Sequence, residues 1–328
     1  MTILRSLLTL AALAAPVRAQ SYSLVVLSHG DHTVYELDAA SGKILHQYKA
    51  DEQPHEGIAS PDGKTIYAAI PNGPHVVILD AATFKETGRI ESPYFHSSAR
   101  GGSSSPHGVA LTADGSKLYV GLENADIPGI VVFDTKARKV LKKIDVVLRG
   151  GHFLAMQPKT DKLYYPMRDD DRVLVIDTKT DAITKIIPVK GGPVGVGFAP
   201  NGDVWIHCDG DGSVKVIDSA RDSVVATLTN LGQGAGRMAV SPDGRWAAST
   251  HGTSQDVAII NATTKQVAAT VRIGAGPAFP VFSPDGSKLY TMNVGENDVA
   301  VIDTKTMTVT ARWKIGEEPF GGGILIRK

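Results

Sequence analysis

The stretch SPDGSKLYTMNVGENDVAVIDTKT, residues 283–306, contains the two patterns that decide the fold. The first is a Ser-Pro-Asp-Gly turn followed by Lys-Leu-Tyr; proline presets φ in such a turn and glycine accepts a positive φ. The second is a β-branched strand, residues 299–303, that ends in an acidic turn residue. Seven strands of this kind end at Asp38, Asp80, Asp134, Asp177, Asp218, Asn261 and Asp303. They lie 41–43 residues apart, except for the 54 residues before Asp134.

Each repeat contains four short strands. In the third repeat they are residues 108–111, 117–120, 130–134 and 140–144. The alternation of β-branched residues between turns, without a 3.6-residue period, argues against helices. Four-stranded units that recur every ~40–45 residues are typical of a β-propeller. The sequence therefore predicts an all-β fold, a seven-bladed β-propeller of four-stranded antiparallel blades.

The two ends of the chain predict how the ring closes. Residues 24–27, 33–37 and 44–48 supply only three strands, whereas residues 323–327 supply one strand too many. Joined, they complete the seventh blade, so that no sheet edge is left open between the first and last blades. We expect deletion of the residues after Pro319 to destabilise the whole ring.

Composition and the N-terminus indicate a secreted protein. Among 328 residues, 34 Lys and Arg balance 34 Asp and Glu, which argues against nucleic acid held by bulk charge and against an acidic disordered chain. Residues 1–19 combine Arg5, an apolar run and the small-residue exit Val17-Arg18-Ala19. This pattern predicts a signal peptide over 1–19, a single propeller domain over 20–328 and a periplasmic or secreted location, with no membrane span.

The Ser-Pro-Asp-Gly-Ser-Lys-Leu-Tyr and Val-Ile-Asp-Thr-Lys-Thr phrases resemble those of the YVTN-type seven-bladed β-propeller proteins, from residue 23 to the C-terminus. The resemblance implies a periplasmic or secreted propeller. Relatives of this architecture include metal-binding chaperones, single-stranded DNA binders, lactonases, lyases and adhesins, so the fold leaves the function open.

The histidines are placed unevenly. His55, His107 and His152 are expected to open the innermost strands of three consecutive blades, and His96 precedes the second of these strands. His29, His32, His75, His207 and His251 lie in or beside loops at the same end of the blades, which leaves only His46 elsewhere. Residues that open neighbouring innermost strands converge on the mouth of the channel.

Such a cluster predicts a transition-metal site. Neutral imidazole is a common ligand of zinc and copper, and three histidines leave one coordination position open. We therefore expect His55, His107 and His152 to be the metal ligands, for zinc or copper. Further candidate ligands are His29, His32, Glu56 and His96.

Three alternatives stay open. The histidines can instead fasten neighbouring blades, because His107 shares its two-residue alternation with Val109 and Leu111, which should face the space between blades. A lactonase- or lyase-like enzyme would use His107, Glu56 and His152 as acid, base or metal ligands. A third reading is an interaction scaffold, with a protein partner on the face that carries the histidines.

Several partners find no support in the sequence. It contains no phosphate-binding loop, no Cys-x-x-Cys-His haem attachment site and no Gly-x-Ser-x-Gly elbow, so we expect neither nucleotide nor haem. Aromatic residues make up only 6% of the chain, which also argues against nucleic acid as a partner. The ligand is expected to be a metal ion or a small molecule at the channel mouth of a monomer.

Overall fold

A computed structural model of the chain describes residues 21–97, 104–123, 129–234 and 236–327. Within these residues it contains 28 strands and one turn of 3₁₀ helix, Arg168–Asp170. The expected signal peptide lies outside the described residues. None of the described helical structure is long and apolar enough for a bilayer crossing.

The strands form seven four-stranded antiparallel sheets, which confirms the predicted seven-bladed β-propeller. Blade 1 contains β1 (Tyr22–Ser28), β2 (Thr33–Asp38), β3 (Ile44–Lys49) and the C-terminal β28 (Pro319–Ile326); blade 2 contains β4 (Gly57–Ala59), β5 (Thr65–Ile70), β6 (His75–Asp80) and β7 (Glu86–Ile90); blade 3 contains β8 (Ser105–Leu111), β9 (Lys117–Glu123), β10 (Gly129–Asp134) and β11 (Lys139–Asp145); blade 4 contains β12 (Ala155–Met156), β13 (Lys162–Met167), β14 (Arg172–Asp177) and β15 (Ala182–Pro188). Blade 5 contains β16 (Pro193–Phe198), β17 (Asp203–Cys208), β18 (Ser213–Asp218) and β19 (Ser223–Leu228); blade 6 contains β20 (Met238–Val240), β21 (Trp246–His251), β22 (Asp256–Asn261) and β23 (Gln266–Arg272); blade 7 contains β24 (Pro277–Phe282), β25 (Lys288–Asn293), β26 (Asp298–Asp303) and β27 (Thr308–Lys314).

Ring closure occurs in blade 1, as predicted. The C-terminal strand β28 pairs antiparallel with β1, so the strand order of that sheet is β28-β1-β2-β3. The closing strand is longer than the sequence indicated, because it begins at Pro319. The two ends of the chain therefore share one set of backbone hydrogen bonds.

The hydrophobic core lies between the blades. Seven apolar clusters fill the seven interfaces, and each cluster draws its side chains from two neighbouring sheets. Between blades 2 and 3, for example, Ile78 of β6 and Val120 of β9 belong to one cluster. Alternate residues of the middle strands face opposite interfaces, because side chains alternate across a sheet.

A β-bulge at the start of the innermost strands decides which side chains reach the channel mouth. In blade 3 the pairing of β8 with β9 shifts between Pro106 and Val109, so that His107 and Gly108 together oppose Gly121. The innermost strands β16, β24 and β28 shift at the matching place. A bulge changes where the side chains of a strand point. His107 consequently does not follow the alternation of the rest of its strand.

The bulge residues of blades 1, 3, 5 and 7, with the residues at the matching place in blades 2, 4 and 6, form two layers around the channel. The first layer, in order of blades 1 to 7, is Phe320, His55, His107, His152, Val194, Gly236 and Ala278. The second layer, in the same order, is Gly321, Glu56, Gly108, Phe153, Gly195, Arg237 and Phe279. These layers place histidine, glutamate and arginine side chains at one opening of the propeller.

Candidate metal centre

Three histidines of the first layer lie in a row across blades 2, 3 and 4. The ring centroids of His55 and His107 are 4.1 Å apart, and those of His107 and His152 are 4.5 Å apart. A fourth imidazole, His29 from the β1–β2 turn, lies 4.6 Å from His55 and stacks on Phe320 at 4.4 Å. The equivalent positions of neighbouring blades thus bring these rings into contact.

The potential ligand atoms fall into two groups that share one residue. The Glu56 group consists of His55, Glu56 and His107, and the Glu123 group consists of His107, Glu123 and His152. Within each group the ligand atoms lie within 4.8 Å of one another. His107 therefore occupies the centre of the arrangement.

The distances within the groups are longer than the 2.7–3.2 Å typical of N–H···O hydrogen bonds. His107 Nδ1 lies 3.7 Å from Glu56 Oε1, and His107 Nε2 lies 3.3 Å from Glu123 Oε2. His152 Nε2 lies 3.9 Å from Glu123 Oε1. Two ligands of a tetrahedral zinc ion are roughly 3.3 Å apart when the bonds are about 2.0–2.1 Å long. The observed spacings resemble those of atoms that flank an ion more than those of a hydrogen-bonded pair.

Each residue of the Glu56 group has a buried polar atom without a hydrogen-bond partner among the described residues. These atoms are His55 Nδ1, Glu56 Oε2 and His107 Nδ1, and His29 Nε2 is in the same condition. A buried polar atom without a partner costs roughly 1–3 kcal/mol. Their occurrence on all three residues of one potential ligand group fits a bound cation.

The protonation states also favour cation binding. Burial holds the pKa of His55, His107 and His152 well below the usual value of 6.5, and neighbouring imidazoles and Arg237 act in the same direction. Neutral imidazoles carry the lone pair that a metal ion requires. Burial also raises the pKa of the Glu123 carboxyl, and this opposes cation binding because a carboxyl must lose its proton to act as a ligand.

Arg237 crosses the channel in the second layer and meets Glu56. Its Nη2 donates to Glu56 Oε1 at 3.3 Å and to His152 Nδ1 at 3.4 Å, and its Nη1 donates to the carbonyl oxygen of Gly236 at 3.1 Å. Burial raises the pKa of Glu56 to about 7, although the charge of Arg237 acts in the opposite direction. A metal cation that displaced the proton of Glu56 would leave this carboxyl negatively charged. The carboxylate would then form an ion pair with Arg237.

The structure brings together some of the expected ligands and not others. His55, Glu56, His107 and His152 lie in the two groups, with His29 beside them. His32, which has a φ of 49°, and His96, which is exposed, belong to neither group within the described part of the chain.

Sequence reasoning missed Glu123 and the pairing of Arg237 with Glu56. Glu123 is the last residue of β9 and lies opposite Ser105 in the register, at the end of the blade that carries the histidines. An acidic residue at that end of a second strand was a usable signal. The contact between Glu56 and Arg237 joins blades 2 and 6, and no local pattern predicts it.

The fold has relatives among solved structures. Kuenenia stuttgartiensis hydrazine synthase superposes with a TM-score of 0.72 at 23% identity, over 82% of this chain and 88% of that chain. A functionally unknown protein from Desulfotomaculum acetoxidans gives a TM-score of 0.76 at 15% identity, over 93% and 99% of the two chains. The dihydro-haem d1 dehydrogenase NirN, solved in complex with DHE, gives 0.64 at 16% identity, over 95% and 77%.

This likeness is one of fold alone. Identities of 15–23% over a repetitive β-propeller carry no functional residue from one chain to the other. Neither a protein-family profile nor a curated protein matches the chain. The function has to be argued from the geometry of the channel mouth.

Proposed function

We propose that this protein is a periplasmic or secreted β-propeller that captures a transition-metal ion, zinc or copper, at the channel mouth. The observation that carries the proposal is the set of three unpartnered buried ligand atoms on His55, Glu56 and His107. Blade-fastening histidines would use their nitrogens in hydrogen bonds, as buried polar groups usually do.

The Glu56 group is the primary site in this proposal. His55 and His107 each offer a neutral nitrogen, and Glu56 offers a carboxylate once its proton has left. This donor set suits zinc and copper, and it leaves one position for water or a ligand. Glu123, 3.3 Å from the other ring nitrogen of His107, would orient that ring, as carboxylates commonly do behind a metal-bound imidazole.

The location and the family relationship are part of the same proposal. The charged, apolar and small-residue sequence of residues 1–19 supports export. The repeated Ser-Pro-Asp-Gly and Val-Ile-Asp-Thr phrases support membership of the YVTN-type proteins. An exported binding protein meets metal ions outside the cytoplasm.

Calorimetric titration of the metal-free, untagged protein with zinc and copper tests the proposal. We expect saturable binding with a Kd of about 10 µM or tighter. His107→Ala should weaken binding by roughly two orders of magnitude, because His107 belongs to both groups and loss of an orienting neighbour alone costs 10–100-fold.

The matched control is His96→Ala, which removes an exposed histidine outside both groups and should leave the affinity unchanged. Wild-type binding weaker than about 10 µM, or equal binding by His107→Ala, contradicts the proposal.

One observation favours a second candidate function, a lactonase- or lyase-like activity at the same mouth. Glu56 has a pKa of about 7, and a general acid or base works best when its pKa is near the working pH. Turnover of a panel of lactones that is lost in both Glu56→Gln and His107→Ala would support this activity. Absence of turnover by the metal-loaded protein removes it.

A further inference from the structure

A cavity of about 180 Å³ lies on the side of the mouth opposite the histidine row. It exists because the first-layer residues of blades 6 and 7, Gly236 and Ala278, are small. Phe320 and Val294 contribute apolar walls, and Arg237 lines the cavity as its one charged residue. The cavity is therefore apolar with a single cationic group.

Arg237 is a buried cation with incomplete pairing. Its side chain is 4% exposed, and its Nε has no hydrogen-bond partner among the described residues. Its contact with Glu56, 3.3 Å, is longer than the 2.7–2.9 Å of a strong hydrogen bond between charged groups. A buried charge is costly unless it is paired and hydrogen-bonded, so the guanidinium has capacity for a further anionic acceptor.

We propose that this cavity binds a small monocarboxylate with an apolar body, the carboxylate on Arg237 and the body against Phe320 and Ala278. The volume suits a small apolar body, since an enclosed apolar cavity of about 150 Å³ accommodates benzene. A ring or chain of about six carbons therefore fits 180 Å³. Guanidinium is the group best suited to a carboxylate, because its N–H groups match the two oxygens.

The cavity and the proposed metal site lie in different blades. The metal groups use blades 2, 3 and 4, whereas the cavity lies between blades 6 and 7 and is bounded by Phe320 of blade 1. Phe320 and Arg237 touch both regions. Phe320 stacks on His29 and lies 4.6 Å from His55, and Arg237 donates to Glu56 and His152. Carboxylate binding requires no ion, so the two proposals can fail separately.

The experiment uses benzoate as the probe, with benzamide as its uncharged analogue. Metal-free protein is titrated by calorimetry at constant ionic strength, and ligand contact is checked by saturation-transfer NMR. We expect benzoate to saturate one site with a Kd of about 1 mM or tighter and benzamide to bind at least tenfold more weakly. Failure of benzoate to saturate the wild type by about 10 mM, or equal binding of benzamide, overturns the proposal.

Two substitutions locate the site. Arg237→Gln removes the cation, and Ala278→Leu fills the cavity while Arg237 stays in place; each should weaken benzoate binding at least tenfold. The control Arg221→Gln removes an exposed guanidinium and should bind benzoate as the wild type does. Should Ala278→Leu fail to fold, Val294→Phe narrows the same cavity from another wall.

Zinc affinity is measured on the same protein variants as benzoate affinity. Ala278→Leu should lose benzoate and keep zinc, whereas His107→Ala should lose zinc and keep benzoate. Wild-type affinity for benzoate in the folded Ala278→Leu protein contradicts the proposed cavity, whatever the result with zinc.

Discussion

The protein contains two histidine clusters at the same end of its blades, and they differ in what their nitrogens do. In blades 5 and 6, His207 and His251 lie with their rings 5.7 Å apart. His207 bonds to Ser249 at 2.8 Å and to Asp209 at 3.0 Å. His251 bonds to Asp256 at 3.0 Å and to Ser249 at 3.2 Å. All four nitrogens of this pair have partners.

At the channel mouth the pattern is reversed. His55 and His107 each have a buried nitrogen without a partner, and the nearest carboxylate oxygens of Glu56 and Glu123 lie 3.7 and 3.3 Å from His107. The comparison teaches that burial and crowding of histidines do not by themselves indicate a ligand site. The distinguishing feature is whether protein atoms already satisfy the nitrogens.

The largest expected difference between the clusters is in metal content. Protein purified from its native compartment without an affinity tag should carry zinc or copper at or above one ion per chain by elemental analysis. The triple variant of His55, His107 and His152 to Ala should carry none, because it removes every imidazole of both groups. His251→Ala serves as the control and should retain the metal. Metal content in the triple variant equal to that of the wild type would show that the channel-mouth histidines do not bind the metal.

The free energy of unfolding should depend more on the histidines of blades 5 and 6 than on those of the channel mouth. His251→Ala removes the hydrogen-bond partner of Asp256 and one of the two imidazole partners of Ser249, which should lower the free energy of unfolding by about 1–3 kcal/mol. His55→Leu in the metal-free protein removes no hydrogen bond at His55 Nδ1. It should therefore change the free energy of unfolding by less than about 1 kcal/mol. Urea denaturation measures both. A large loss in His55→Leu would show that this histidine fastens blades.

The free energy of unfolding of the metal-free protein should decrease as the pH is lowered. Burial lowers the pKa of His29 to about 4, so the unfolded chain binds a proton below about pH 6.5 that the folded chain refuses. The free energy of unfolding should therefore decrease between pH 6.5 and 4, by up to about 1.4 kcal/mol per pH unit for this residue. His29→Phe, which retains an aromatic ring against Phe320, should show a shallower decrease in urea denaturation at a series of pH values. An unchanged slope would contradict the neutral state assigned to His29.

The smallest effect is expected at Glu123. Its oxygen lies 3.3 Å from His107 Nε2, and loss of a group that orients a metal-bound imidazole usually costs 10–100-fold in affinity. We expect Glu123→Gln to weaken zinc binding about tenfold, near the lower limit, because the amide retains an oxygen in place. The control Glu91→Gln alters an exposed carboxylate and should have no effect. A loss as large as that of His107→Ala would make Glu123 a direct ligand instead.

The fold could be predicted from the sequence because each repeat carries its own turn and strand signals. Strands that end at Asp80 and Asp303 look alike wherever they occur, and ring closure follows from counting strands at the two ends. The meeting of His55, His107 and His152 was predictable for the same reason, since neighbouring blades repeat one backbone position.

The rest of the site depends on contacts that no repeat encodes. Because of the bulge at His107, its side chain does not follow the two-residue alternation that the sequence implied. The bulge arises from the pairing of β8 with β9, which a single strand sequence does not specify. Arg237 of blade 6 reaches Glu56 of blade 2, three blades away through blades 7 and 1, so their contact depends on the completed circle. The unpartnered state of the nitrogens is a property of three-dimensional neighbours and leaves no trace in the sequence.

The two layers of residues at the channel mouth carry the side chains that can contact a ligand, whereas the rest of the sheets builds the ring. Fourteen residues, two from each sheet, determine the polarity of the opening, and in strands such as β16 and β24 they interrupt the regular ladder. Substitutions at these residues can exchange one ligand specificity for another while the surrounding torus keeps its shape. Sequence comparison restricted to these fourteen sites should therefore sort distant propellers by ligand more reliably than comparison over whole chains.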